Sequence, residues 1–159
     1  MSDLNVRIVN LPAMRVICFN GFGKNPEDQA YTMASKWLKD NGMWETRKDH
    51  QFFGYDNPDP SPGSPNYGYD VWVTVDEMVQ AGGGGRIIDF PGGLFAVTHV
   101  DAGPNGEGIH DAWQALAAWV ENSKYTPEFH KRHYLEESPD PFQGSPNGFA
   151  IELYEPIRE

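Results

Sequence analysis

The stretch NPDPSPGSPN at residues 57–66 returns as SPDPFQGSPN at residues 138–147, with seven of ten positions identical. An internal repeat constrains architecture more than any local propensity, because it implies one folding unit used twice. The similarity spreads outward from the loops. GYDVWVTVDE (68–77) and GFAIELYEPI (148–157) follow them, both alternating and rich in strand formers. FFGYD (52–56) and HYLEE (133–137) precede them as short extended candidates. Earlier still, DQAYTMASKWLKDNG (28–42) and HDAWQALAAWVENSK (110–124) carry apolar spacing suited to amphipathic helices. Tyr31 and Trp37 fall against Trp113 and Trp119 at one offset, and Asn41-Gly42 is a good helix stop. LPAMRVICFNG (11–21) and FPGGLFAVTHV (90–100) open the two halves as Pro-marked strands.

Each half therefore reads strand–helix–strand–strand. The expected fold is α+β: tandem pseudo-twofold βαββ repeats, with an antiparallel sheet, two helices on one face and a ligand groove on the other. Repeat one runs from about residue 5 to 77 and repeat two from about 87 to 157, in a single domain. MVQAGGGGR (78–86) is expected to connect them flexibly. Its glycines lack the Lys-Ser/Thr and helix that make a phosphate cradle.

Alternation sorts the strand residues. Val71, Val73 and Val75 belong under the helices, with Phe149, Ile151 and Leu153 in the last strand and Leu135 in HYLEE. The open face then collects Trp72, Tyr55, Tyr154, Tyr134, Glu136 and Glu152. Solvated strand faces carry Thr, Lys, Ser and Glu, so large rings flanked by carboxylates suggest an aromatic-walled groove. A second small core or a homodimer contact are alternative uses of such rings.

Composition bounds the partners. The chain has 159 residues, 12 Lys and Arg against 23 Asp and Glu, and a net charge of -11. Nucleic acid needs clustered positive charge, and HKRH at 130–133 is a scattered exception, so no nucleic-acid partner is expected. No apolar run approaches the roughly 20 residues that span a bilayer, so no membrane partner is expected. MSDLNVRIVNLP lacks the pattern of a secretory signal, and the lone Cys18, a small buried hydrophobe in RVICF, fits a cytoplasmic protein. His130 and His133 form an HxxH pair without a third ligand, so neither a metal nor a cofactor is expected. His99 reads as a hydrogen-bonded strand-end histidine.

FPGGLFAVTHVDAGP, AWQALAAWVENSKY, HYLEE and the terminal FAIELYEPI resemble the GyrI-like small-molecule-binding domain, which is also the effector-binding half of bacterial multidrug-sensing regulators. The resemblance spans nearly the whole chain. It implies a groove for cationic, aromatic or amphipathic compounds, with an acid on the penultimate strand facing the ligand; Glu136 matches that acid and Tyr154 the aromatic before the final Pro-Ile. Regulators of this kind carry a helix-turn-helix ahead of the domain, for which the sequence leaves no room, so a stand-alone binding protein is expected. Some stand-alone relatives hydrolyse cyclopropane-containing toxins. In that alternative Glu136 is the general base on a water, with Trp72 or a tyrosine hydroxyl holding the carbonyl. A protein-interaction module is a third reading.

Overall fold

The computed structural model describes residues 4–129, 131–143 and 146–159. In chain order the elements are β1 (Val6–Leu11), β2 (Met14–Gly23), α1 (Pro26–Asp40), β3 (Phe52–Asp56), β4 (Tyr67–Val75), β5 (Arg86–Phe90), β6 (Gly93–Ala102), α2 (Ile109–Glu121), β7 (Thr126–Pro127), β8 (Leu135–Ser138) and β9 (Phe149–Arg158). The strands pair antiparallel, and each βαββ order carries one helix, so the chain is α+β.

The chain divides into two compact units, one made of Met14–Phe90 with Pro139–Gln143, the other of the remaining described residues. In the 14–90 unit β4 pairs with β3 and β2, and β2 pairs with β5. In the other, called here the 91–159 unit, β6 pairs with β1 and β9, and β9 pairs with β8 and β7. The expected boundaries shift accordingly. The first strand of the chain, β1, belongs with the second half, and β5 belongs with the first. Residues 78–86 are no connector between units but a turn inside the 14–90 unit. There Gly83 and Gly84 take φ of +60° and +84°, open to glycine at little cost. Gly85 lies so close to Ile17 and Phe19 that a Cβ would meet their side chains at 2.6–2.8 Å.

The helices follow the sequence closely. Pro26 starts α1 with a preset φ, and Glu27 and Asp28 sit in the positive first turn. Ala30 and Ala34, one turn apart, let the helix approach the sheet, while Trp37 and Leu38 bury against Ile17, Phe19, Val71 and Val73. Gly42, with φ +71°, follows its end. Leu116 and Val120 of α2 pack on Ala96, Val100, Ile151, Leu153 and Ile157, with Trp113 and Trp119 at the margin.

The opposite face of each unit departs from expectation. It was read as an open groove, but it is a second buried layer. In the 14–90 unit Val16, Cys18, Phe53, Tyr55, Trp72 and Phe90 are buried there; in the 91–159 unit Phe95, Val97, Leu135 and Tyr154 are. Tyr55 is 3%, Trp72 5% and Tyr154 4% exposed. These strands bury both faces, so alternation separates two cores rather than core from solvent.

Candidate functional site

The register of β8 on β9 decides which side each acid faces. Leu135 stands opposite Tyr154, Glu136 opposite Leu153 and Glu137 opposite Glu152. Directly opposed residues share a face. Leu153 lies under α2, so Glu136 points to the helix side and Leu135 to the helix-free side, the reverse of the sequence expectation. The side chains agree. Trp113 of α2 donates its indole N–H to Glu136 Oε2 at 3.4 Å, and its ring meets Tyr134 edge-on at 5.1 Å. All three are partly buried. The acid on the helix-free side is Glu137, which accepts the Tyr154 hydroxyl at 2.5 Å. Burial, and then that bond, push the Tyr154 hydroxyl well above the usual phenol range.

The six expected site residues thus fall into four separate sets. Glu136 and Tyr134 come together with Trp113. Trp72 and Tyr55 meet edge-on at 5.5 Å, with Phe90 at 5.4 Å from Trp72, while Tyr154 packs edge-on against Phe95 at 5.7 Å. Glu152 is tied to Arg7 and to His99 Nδ1, and His99 Nε2 reaches Asp101 at 2.8 Å. Those two carboxylates raise the His99 pKa. His99 is therefore hydrogen-bonded as expected, on a solvated surface.

The sequence places Trp113 on an amphipathic helix but does not mark it as a site residue. The signal that could have found it is its place at the start of α2, opposite Tyr31 in the repeat. The repeat also misled. Matching the two loops sets Tyr55 against Glu136. Matching the opening strands sets Phe19 against Thr98, and strand pairing then carries Val71 to Leu153 and Gly54 to Glu136. The two alignments differ by one residue, an odd step that flips the side chain to the other face. Where the 91–159 unit holds an acid, the 14–90 unit holds Gly54, with the Tyr69 side chain filling the space a Cβ would take.

Two further acids are buried. Asp70, opposite Tyr55, accepts Asn20 Nδ2 at 2.7 Å, Asn57 Nδ2 at 2.9 Å and Arg86 Nη2 at 3.3 Å. Cys18 lies in the same layer, and burial, with Asp70 nearby, pushes its thiol up to about 12, so it is inert as a nucleophile. Glu155 lies on the α2 side of β9, 2% exposed, with no partner for Oε2 among the described residues. Burial, and then Glu121 of α2, raise its pKa to about 7.

Among the described residues no group of three or more His, Cys, Asp or Glu could hold a metal ion, and His130 lies outside them. Among the described residues, too, no helix is long and apolar enough to cross a membrane.

A family model described as integron-associated effector binding protein matches residues 7–157. No curated protein matches the chain. Among solved structures, EcmrR in a complex with DNA is 13% identical with a TM-score of 0.67, over 98% of this chain but 57% of that one. A hydrolase from Listeria innocua is 14% identical with a TM-score of 0.65, over 99% of this chain and 94% of that one. SAV2435 bound to tetraphenylphosphonium is 12% identical with a TM-score of 0.56, over 98% of this chain and 94% of that one. At such identities the likeness is one of fold. The family match covers nearly the whole chain, and the chain belongs to the integron-associated effector-binding proteins, with the fold of a GyrI-like effector-binding domain.

Proposed function

We propose that this protein binds hydrophobic, aromatic small molecules that carry a positive charge, with Glu136 as the charge partner and Trp113 and Tyr134 as its aromatic neighbours. The observation that carries this is the partly buried Glu136 carboxylate bonded to the Trp113 indole N–H, on a ring that meets Tyr134 edge-on. Away from bulk water a carboxylate attracts a cation more strongly, and a neutral ligand leaves it unpaired. Indole and phenol faces add roughly 0.5–2 kcal/mol per cation–π contact. Membership of an effector-binding family supports the same reading, as does the aryl phosphonium bound by SAV2435.

Glu152 is a weaker candidate, since Arg7 already opposes its charge and its other oxygen is bonded to His99. Trp72, Tyr55 and Tyr154 hold the strands in place rather than touch the ligand first. Tetraphenylphosphonium titrated by calorimetry should bind the native chain, with Glu136→Gln about ten-fold weaker, or ~1.4 kcal/mol. Equal affinities would remove Glu136 from the role. Mass spectrometry of a cyclopropane-containing ligand incubated with catalytic protein distinguishes turnover from binding, because turnover leaves a product.

A further inference from the structure

The two Pro-rich decapeptides differ at three positions, one of which sets Ser61 against Phe142. Ser61 is exposed, whereas Phe142 is half-buried among three rings of the 14–90 unit. Tyr31 meets it edge-on at 5.9 Å and 89°, Phe52 edge-on at 5.3 Å and 90°, and Trp44 at 5.2 Å and 55°. These hosts come from α1, from the segment after it and from β3. Phe52 is fully buried and forms a fixed floor; Tyr31 and Trp44 are partly exposed walls. Edge-on and tilted contacts are how an aromatic guest sits among aromatic hosts.

The guest is lightly held. β8 ends at Ser138 and β9 begins at Phe149, so Pro139–Gln143 lies outside the strands. The backbone bonds Phe142 N–H to Asp140 Oδ1 and Gln143 N–H to the Asp140 carbonyl, both 3.3 Å, are local. Among the described residues, the strap's polar hold on the rest of the unit is Asp140, whose two oxygens accept Arg47 Nε and Nη2 at 3.3 Å each. Arg47 itself stacks 4.3 Å over Trp44. Pro139 and Pro141 stiffen the strap, so ring and carboxylate move together.

We propose that Tyr31, Trp44 and Phe52 form a receptor for a neutral aromatic ring, which Phe142 plugs, and that such a ring on a ligand displaces Phe142 with its strap. The guanidinium at the rim disfavours a cationic ring, which fixes the class of guest. The receptor does not depend on Glu136, whose charge a neutral ring does not engage.

Indole is the probe. In Phe142→Ser, which installs the residue of the other decapeptide, indole should bind at least several-fold more tightly than in the native chain. Amide exchange at Asp140, Phe142 and Gln143 of the native chain should speed up when indole saturates it. Asp140→Asn keeps the ring but loosens the clamp, and should show a smaller gain in affinity. The indole affinity relative to the native chain decides, read in Phe142→Ser, or in Asp140→Asn if the serine variant does not fold. An equal or lower affinity makes Phe142 an ordinary core residue and overturns the proposal. The tetraphenylphosphonium response of Glu136→Gln is separate, so either result can fail while the other stands.

Discussion

Asp70 and Glu155 are both buried carboxylates, in different surroundings. Asp70 has donors on both oxygens, from Asn20, Asn57 and Arg86. Glu155 has an orphan oxygen beneath α2 and an acid, Glu121, nearby. Burial therefore favours its neutral form and lifts its pKa from 4.5 to about 7. The folded chain then holds the proton more tightly than the unfolded one. Stability from this group is fully present below pH 4.5, falls as pH rises to about 7, and levels off above. A shift of this size corresponds to on the order of 3 kcal/mol over that window. Glu155→Gln should flatten the profile and leave the variant the more stable of the two at pH 8. Melting temperatures at half-unit pH steps measure this, and parallel native and variant curves would show that Glu155 keeps its charge in the fold.

At the scale of elements the helix-free layer carries the largest consequence. Trp72 lies between Tyr55 and Phe90 in a layer that excludes water, so Trp72→Ala removes a ring from a packed core and should cost about 3–5 kcal/mol. The Cys18 thiol and the Tyr55 hydroxyl are the polar neighbours of the indole N–H. Trp72→Phe, which keeps most of the ring in the layer, should cost well under half as much. Denaturant unfolding of both variants measures the difference, and a mild loss in Trp72→Ala would return Trp72 to an open face. The sequence made the helices, the βαββ order and the helix side of β4 and β9 legible, because Ala30, Ala34, Trp37 and Leu38 keep one period and Val71, Val73 and Val75 another. Its limits are physical. A strand buried on both faces has no polar side to reveal its orientation, so Leu135 and Glu136 were assigned to the wrong sides. The partners of β1 and β5 were hidden because pairing is non-local; the Pro12 and Pro91 turns mark where strands end, not what they join. Trp113 looked like any apolar residue on α2 until Glu136 was placed beside it.

On the scale of the whole molecule, charge and contact can be separated. The net charge is -11, while Arg7, Arg15, Lys36, Arg47, Arg86 and Arg158 are already tied to carboxylates, leaving a field that draws cations from a distance. That field is screened by salt: the Debye length falls from about 20 Å at ~20 mM to about 4 Å at ~500 mM. A carboxylate partly buried beside Trp113 and Tyr134 is screened much less. Raising NaCl over this range should therefore weaken tetraphenylphosphonium binding several-fold in the native chain and in Glu136→Gln alike. The ratio between the two proteins should stay nearly constant, because it reports the contact rather than the field. Calorimetric titrations at both salt concentrations give the four affinities required. If the ratio falls to one at high salt, Glu136 acts only as one more surface charge among 23 acids, and the partly buried pairing with the ligand is lost as an explanation. If it persists, the cation is held at Glu136 itself.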